Sequence, residues 1–264
     1  MIVIGERING MFKSIRKAIQ EQDKEVIQRT ALRQIEGGAD FLDVNVGPAS
    51  ADPKATMLWL IEAIQEVTDK TICIDTPKYE VMEAAVKACR NPICINSSKG
   101  TDEDLGRLLP LAKEHNASII CLTMDERGLP QDVNHRVEVA AKILAMAMDL
   151  GIEMDKIFLD PIIFPINVAQ QQAGYVLESI KQFTMLNQPS PHIVVGLSNI
   201  SQGAKLRSLI NRTFVVMGIQ NGLDAAIVDA NDEELMNAII TAELVMNKQI
   251  YSDSYIKAYL ASKG

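Results

Sequence analysis

Two aspartates and two asparagines are the residues of this chain best placed to do chemistry. Asp75, Asn96, Asp160 and Asn199 each close a short apolar run: Thr71-Ile72-Cys73-Ile74-Asp75, Ile93-Cys94-Ile95-Asn96, Ile157-Phe158-Leu159-Asp160 and Ile193-Val194-Val195-Gly196-Leu197-Ser198-Asn199. A carboxylate accepts hydrogen bonds, and a carboxamide both donates and accepts. One such aspartate is commonly a satisfied member of an internal network; several on one rim point to a site. A divalent cation asks for several oxygen ligands, mostly carboxylates, and here Asn96 and Thr123 stand where further acids would be wanted. A Schiff base asks for a lysine at a strand end, whereas Lys78 and Lys99 lie three residues past theirs. The set suits a flat polar ligand bound through hydrogen bonds.

The elements that must position these residues are read from the apolar runs. Four more runs complete the series: Ile2-Val3-Ile4-Gly5-Glu6, Phe41-Leu42-Asp43-Val44-Asn45, Ile119-Ile120-Cys121-Leu122-Thr123 and Ala226-Ile227-Val228-Asp229. Their starts fall roughly 20 to 40 residues apart, which leaves room for a helix after each strand. The fold expected is therefore an α/β chain, a (β/α)8 TIM barrel, in one domain over residues 1–264. Strand C-termini share one rim in such a barrel, so residues some 120 positions apart converge there. Between the runs lie helical patterns. Asp52-Pro53 and Thr76-Pro77 each read as an N-cap followed by proline at the first helical position. Thr101 precedes three acids that suit a helix's first turn, and Asn231 with Glu234 resembles a capping box. Gly37-Gly38, Gly151 and Asn221-Gly222 read as helix stops. Tyr251, Tyr255 and Tyr259, at i, i+4 and i+8, read as one face of a last helix over 251–263 that packs on the barrel.

Composition narrows the function. A net charge of −8 argues against nucleic acid as the partner, because phosphate binding needs a basic surface. No apolar run approaches the roughly 20 residues that span a bilayer. The first residues enter a strand-like run directly, so no signal peptide is expected. Cys73, Cys89, Cys94 and Cys121 form no C-x-x-C pair, and three lie inside strands, where cysteine behaves as a small hydrophobe. A reducing, cytoplasmic compartment is expected. The three histidines lie away from the polar strand ends, so no metal site is expected. A heterocycle such as a pterin, with an amino group and ring N–H donors beside ring acceptors, fits the aspartates and Asn96.

Beyond single residues, an ordered series of motifs runs over nearly the whole chain: Gly5-Glu6-Arg7-Ile8-Asn9-Gly10, Asp43-Val44-Asn45-Val46-Gly47-Pro48, Ile95-Asn96-Ser97, Leu159-Asp160-Pro161, Asn167-Val168-Ala169-Gln170, Gly196-Leu197-Ser198-Asn199 and Leu209-Ile210-Asn211-Arg212-Thr213-Phe214. The series closely resembles the pterin-binding methyltransferases, in particular the methyltetrahydrofolate:corrinoid/iron-sulfur protein methyltransferases. The folate domain of cobalamin-dependent methionine synthase and dihydropteroate synthase are more distant kin. The resemblance implies a barrel that binds tetrahydrofolate or methyltetrahydrofolate as substrate. It implies that Asp75, Asn96 and Asp160 hold the pterin, and that Asn199 is catalytic through a hydrogen bond to N5, the nitrogen that bears the methyl group. Gly196, Ser198, Gln202 and Arg207 would line the same pocket. The methyl partner would be a corrinoid (cobalamin) on a separate protein, because the Asp-x-His-x-x-Gly signature of many corrinoid proteins is absent here. A homodimer is implied as well. Direction stays open, toward the corrinoid in acetyl-CoA synthesis or toward tetrahydrofolate in O- or N-demethylation. A dihydropteroate synthase-like enzyme is the rival chemistry, disfavoured by Val46-Gly47-Pro48-Ala49 where that family carries a Ser-x-Arg-Pro-Gly-type loop. A non-catalytic folate binder is the rival class.

Overall fold

The computed structural model describes residues 1–248 together with Tyr251 and Tyr255. In chain order the elements are β1 (Ile2–Asn9), α1 (Lys13–Glu21), α2 (Lys24–Glu36), β2 (Phe41–Asn45), α3 (Pro53–Gln65), β3 (Thr71–Asp75), α4 (Tyr79–Ala88), β4 (Ile93–Lys99), α5 (Asp102–Glu114), β5 (Ser118–Leu122), α6 (Val133–Asp149), β6 (Ile157–Asp160), α7 (Gln170–Phe183), β7 (His192–Gly196), α8 (Arg207–Asn221), β8 (Ala225–Val228) and α9 (Glu233–Val245). The strands close into a barrel in the order β1 to β8, every neighbouring pair parallel. The expected (β/α)8 architecture is therefore the observed one. The proposed helix over 251–263 lies outside the described residues, apart from Tyr251 and Tyr255, whose rings meet at 6.1 Å between centroids.

Strand alternation sorts each strand into an inward and an outward row. Ile4, Cys73, Cys94, Ile120, Phe158, Val194 and Ala225 form a buried apolar cluster of their own, apart from the larger core between sheet and helices. This cluster fills the barrel axis. Phe158 stacks on His192 with centroids 4.6 Å apart and meets Phe41 at 6.1 Å. Two residues further along the same strands come Glu6, Asp75, Asn96, Asp160 and Gly196. They continue the inward row, so the apolar plug is the floor beneath a polar rim. Cys73, Cys94 and Cys121 are buried free thiols, and burial pushes the Cys73 and Cys121 thiols up, away from nucleophilic use.

The helix ends follow the sequence cues in part. Asp52 and Thr101 cap α3 and α5 through the N–H groups of Ala55 and Asp104. Thr101→Ala is expected to remove about 1 kcal/mol of stability, read as a melting temperature about 2–4 °C lower. Two expected caps are displaced. Thr76 does not cap α4: its backbone N–H donates to the Asn96 carbonyl at 3.1 Å, which ties it to the rim, and Lys78 takes the cap position. Asn231 does not cap α9 because its side chain is engaged with Gln34 and the Arg33 carbonyl. Asp232 caps instead, accepting from Leu235 N–H. Gly38, Gly151 and Gly222 take the left-handed backbone expected of them, whereas Gly37 stays right-handed.

Candidate active site

β2, β3 and β4 bring four polar side chains to one sector of the rim. Their register sets Asp75 level with Asn45 on one side and Asn96 on the other. Asn45 donates its amide to Asp75, and its own carbonyl accepts from Gly47 N–H at 2.6 Å. One level deeper, Asp43 pairs with Cys73 and accepts from Asn96 Nδ2 at 2.9 Å. Asp43 is only 3% exposed. Burial, and then the neighbouring Asp75 charge, hold its carboxyl well above the usual range. Burial raises Asp75 too, opposed by the Asn45 hydrogen bond. Two carboxyls this close and this enclosed do not both ionise readily. Burial pushes both carboxyls up, and Asp75 stands nearer the open rim while Asp43 lies one level deeper. The Asn96–Ser97 peptide is cis, and the pairing of β4 with β5 shifts register between Asn96 and Ser98.

Asp160 ends β6, level with Leu122 on β5. Its backbone carbonyl accepts from Thr123 N–H and from Thr123 Oγ1, both at 2.9 Å. Its carboxylate accepts from Ile162 N–H at 2.7 Å. Burial lifts this carboxyl to about 7, opposed by the Ile162 N–H and by the Arg136 charge. Thr123 itself lies just past the end of β5, not within it.

The sector on the other side of β2 is built by β1, β7 and β8. Asn199 sits on a short helical turn, Leu197–Asn199, beyond the end of β7. Its amide is exposed and makes no hydrogen bond among the described residues. Gly196 makes this placement possible, because a Cβ there would stand 2.9 Å from Asn199 Nδ2. The turn is anchored to the lumen by Ser198, whose hydroxyl lies 2.8 Å from both carboxylate oxygens of Glu6. Burial raises the Glu6 carboxyl, opposed chiefly by that hydroxyl. Arg207 clamps the outside, donating to the Ser198 carbonyl at 3.2 Å and to Ser201 Oγ at 3.1 Å. Gln202 is exposed, and its backbone N–H donates to the Asn199 carbonyl at 3.2 Å.

Two cavities open on these sectors. One of about 460 Å³ is lined by Glu6, Arg7, Ser198, Arg207 and Asn211, among others. The other, about 200 Å³, is lined by Asp75, Ser97, Lys99 and Leu122, among others. The rim thus carries the carboxyls of Glu6, Asp75 and Asp160, the buried Asn96 carboxamide on Asp43, and the uncommitted Asn199 amide. Such a set suits a flat polar ligand held by hydrogen bonds.

A family model described as pterin binding enzyme matches residues 5–229. This chain belongs to the pterin-binding enzymes. It is similar to the methylcorrinoid:tetrahydrofolate methyltransferase of Eubacterium limosum, with 29% identity over 265 residues that span 100% of this chain and 97% of the relative. It is also similar to the methionine synthase of Mycobacterium tuberculosis, 29% identical over 251 residues, which are 90% of this chain and 21% of that longer protein. Among solved structures, dihydropteroate synthase of Yersinia pestis in a sulfonamide complex has a TM-score of 0.69 at 16% identity, with 94% of each chain covered. The enzyme of Xanthomonas albilineans in complex with 7,8-dihydropteroate has a TM-score of 0.66 at 21% identity, with 94% of this chain and 92% of that one covered. At these identities the likeness concerns the fold.

For this pterin-binding barrel, sequence reasoning found the strand ends but missed their supports. Asp43 and Asn45 follow Phe41 at period two, and Glu6 follows Ile4 in the same way, so all three inward positions were readable from alternation alone. Arg136, a fully buried residue on α6, had no such signal.

Proposed function

We propose that this chain transfers a methyl group between a corrinoid carried by a separate protein and N5 of tetrahydrofolate. The full-length likeness to the Eubacterium limosum methyltransferase supports this chemistry, and that relative's name favours transfer from methylcorrinoid to tetrahydrofolate, the demethylation direction. The geometric observation that carries the reading is the uncommitted Asn199 amide, given room by Gly196 on a turn that the Ser198–Glu6 hydrogen bonds anchor.

Asp75, Asn96 and Asp160 would grip the pterin ring, its amino and N–H groups donating to the carboxylates. Asn199 would hydrogen-bond N5, where charge changes as the C–N bond forms or breaks. The Ser198–Glu6 hydrogen bonds fix the turn that carries this amide, so the Asn199 dipole reaches that charge from a set backbone position. Gly196 gives the amide room, Ser198 anchors its turn, and Gln202 and Arg207 line the outer part of the pocket. The corrinoid supplies the cobalt that gives or takes the methyl group, docked over the rim on its own protein. On this reading the chain acts as one domain over residues 1–264, in the cytoplasm and as a homodimer. Among the described residues no helix is long and apolar enough to cross a membrane.

The assay mixes the protein with tetrahydrofolate and methylcobalamin, or with methyltetrahydrofolate and cob(I)alamin, and follows the cobalamin spectrum. Catalysed interconversion is expected in both directions. A folate binder without catalysis leaves the spectrum unchanged, and that result would end the proposal. Sedimentation velocity checks the dimer.

A further inference from the structure

Helix α6 buries Arg136, Val139, Ala140, Ile143 and Ala147 along one stripe. The stripe calls for an apolar residue at every position, yet its first member is an arginine with no exposed surface. A buried charge is costly unless its donors are satisfied. The Arg136 guanidinium meets no carboxylate among the described residues; it meets carbonyl oxygens. Nε donates to the Pro161 carbonyl at 2.6 Å, and Nη1 to the Asp132 carbonyl at 3.1 Å. Nη2 donates to the Ile162 carbonyl at 3.4 Å and to Gln172 Oε1 at 2.8 Å. Gln172, on α7, is itself fixed by donating to the Gln131 carbonyl at 2.9 Å.

The two residues after Asp160 are therefore the ones this side chain holds. Ile162 has a φ of +62°, a left-handed backbone that is unfavourable for a β-branched residue by about 1–3 kcal/mol and persists only where its surroundings impose it. In that conformation the Ile162 carbonyl faces Arg136 while its N–H faces the Asp160 carboxylate at 2.7 Å. We propose that Arg136 is a positioning residue for Asp160: by gripping the Pro161 and Ile162 carbonyls it holds the strained turn that aims the Ile162 N–H at the Asp160 carboxylate and turns that carboxylate to the lumen. This goes beyond the proposed function and rests on it only in taking Asp160 as a pterin ligand. Arg136 and Asp132 are the charges that face this loop, and β5 and α7 present the neutral Thr123 and Gln172 to it. The Arg136 charge also favours the ionised form of Asp160, so its removal moves the carboxyl further up.

The test uses the whole chain and two readouts, the Michaelis constant for tetrahydrofolate and the titration of the Asp160 carboxyl carbon in ¹³C-aspartate-labelled, ligand-free protein, assigned with Asp160→Asn. Arg136→Met fills the volume but carries neither charge nor fork. It is expected to raise KM about ten-fold with kcat little changed, and to move the Asp160 midpoint to higher pH. Arg136→Lys keeps a charge without the fork, so KM rises while the midpoint stays near that of the parent. A folded Arg136→Met protein with both readouts unmoved would overturn the proposal. Where Arg136→Met does not fold, an unchanged KM in Arg136→Lys overturns it. Should the parent protein bind no folate, the functional reading falls on its own, and the Asp160 titration in Arg136→Met then decides this inference.

Discussion

Asn199→Ala is expected to slow methyl transfer about 10²- to 10³-fold while tetrahydrofolate affinity falls about ten-fold or less. The asymmetry follows from where the side chain stands. Its amide makes no bond to the rest of the described chain, so truncation leaves no buried partner orphaned and unfolding should be unaffected. On the proposed reading the aspartates and Asn96 hold the ring by its donor edge, so that grip should survive the change. What would be lost is the proposed dipole beside N5. A methyl group on a tertiary amine leaves poorly because the departing nitrogen anion is too basic, and in the reverse direction the nitrogen lone pair must be oriented toward the incoming carbon. Either way the charge on N5 differs most between ground and transition states, and a group that interacts there acts on kcat more than on KM. Single-turnover kinetics with methyltetrahydrofolate and cob(I)alamin measure the step directly. A rate equal to that of the parent protein would remove Asn199 from the mechanism. A loss confined to affinity would make it a ring ligand only.

The parts of the molecule legible in the sequence share a physical origin. A parallel barrel strand is apolar on both faces until it reaches the rim, so the change from Ile or Val to Asp or Asn marks both the end of the strand and the start of the site. That is why Asp75, Asn96 and Asp160 could be read in place, and why strand alternation would also have yielded Glu6, Asp43 and Asn45. Local rules served the helix ends where nothing competed for the capping side chain, as at Asp52 and Thr101. They slipped by a residue or two where a tertiary partner did compete. Asn231 was drawn away by Gln34 and the Arg33 carbonyl, whereas the Thr76 hydroxyl accepts from Lys78 N–H, one turn short of the helix, with its backbone N–H tied to the Asn96 carbonyl. The supports were the least legible part. Arg136 binds the carbonyls of residues about 25 positions away, and a backbone carbonyl has no side-chain identity to read. The left-handed Ile162 was hidden for the same reason, since its residue type argues against the conformation it adopts.

Asp160→Asn should have opposite effects on stability and on binding. In the folded chain burial lifts this carboxyl to about 7, whereas in an unfolded chain it titrates near 3.9. Between those two values the folded state holds a proton that the unfolded state has released, so stability falls as the pH rises through this window. Above the window the folded chain carries a buried charge at full penalty. Asparagine keeps an oxygen to accept from Ile162 N–H but carries no charge, so the variant escapes the penalty. With allowance for solvent at the cavity, the gain at pH 8 is about 1–2 kcal/mol, or about 2–8 °C in melting temperature, and it vanishes below about pH 4. Binding moves the other way. A hydrogen bond to a carboxylate is worth about 1.5–3 kcal/mol and one to a neutral amide about 0.5–1.5 kcal/mol, so tetrahydrofolate affinity should drop about ten-fold or more. Calorimetric melts at pH 4, 6 and 8 and folate titrations at pH 8 separate the two effects. A variant less stable than its parent at pH 8 would show that the carboxylate is not a burden to the empty fold. An unchanged affinity would show that Asp160 does not touch the pterin. Both findings together would return Asp160 to the ordinary role of a strand-end network residue, and they would leave the Asp43, Asp75 and Asn96 sector to bind the ring alone.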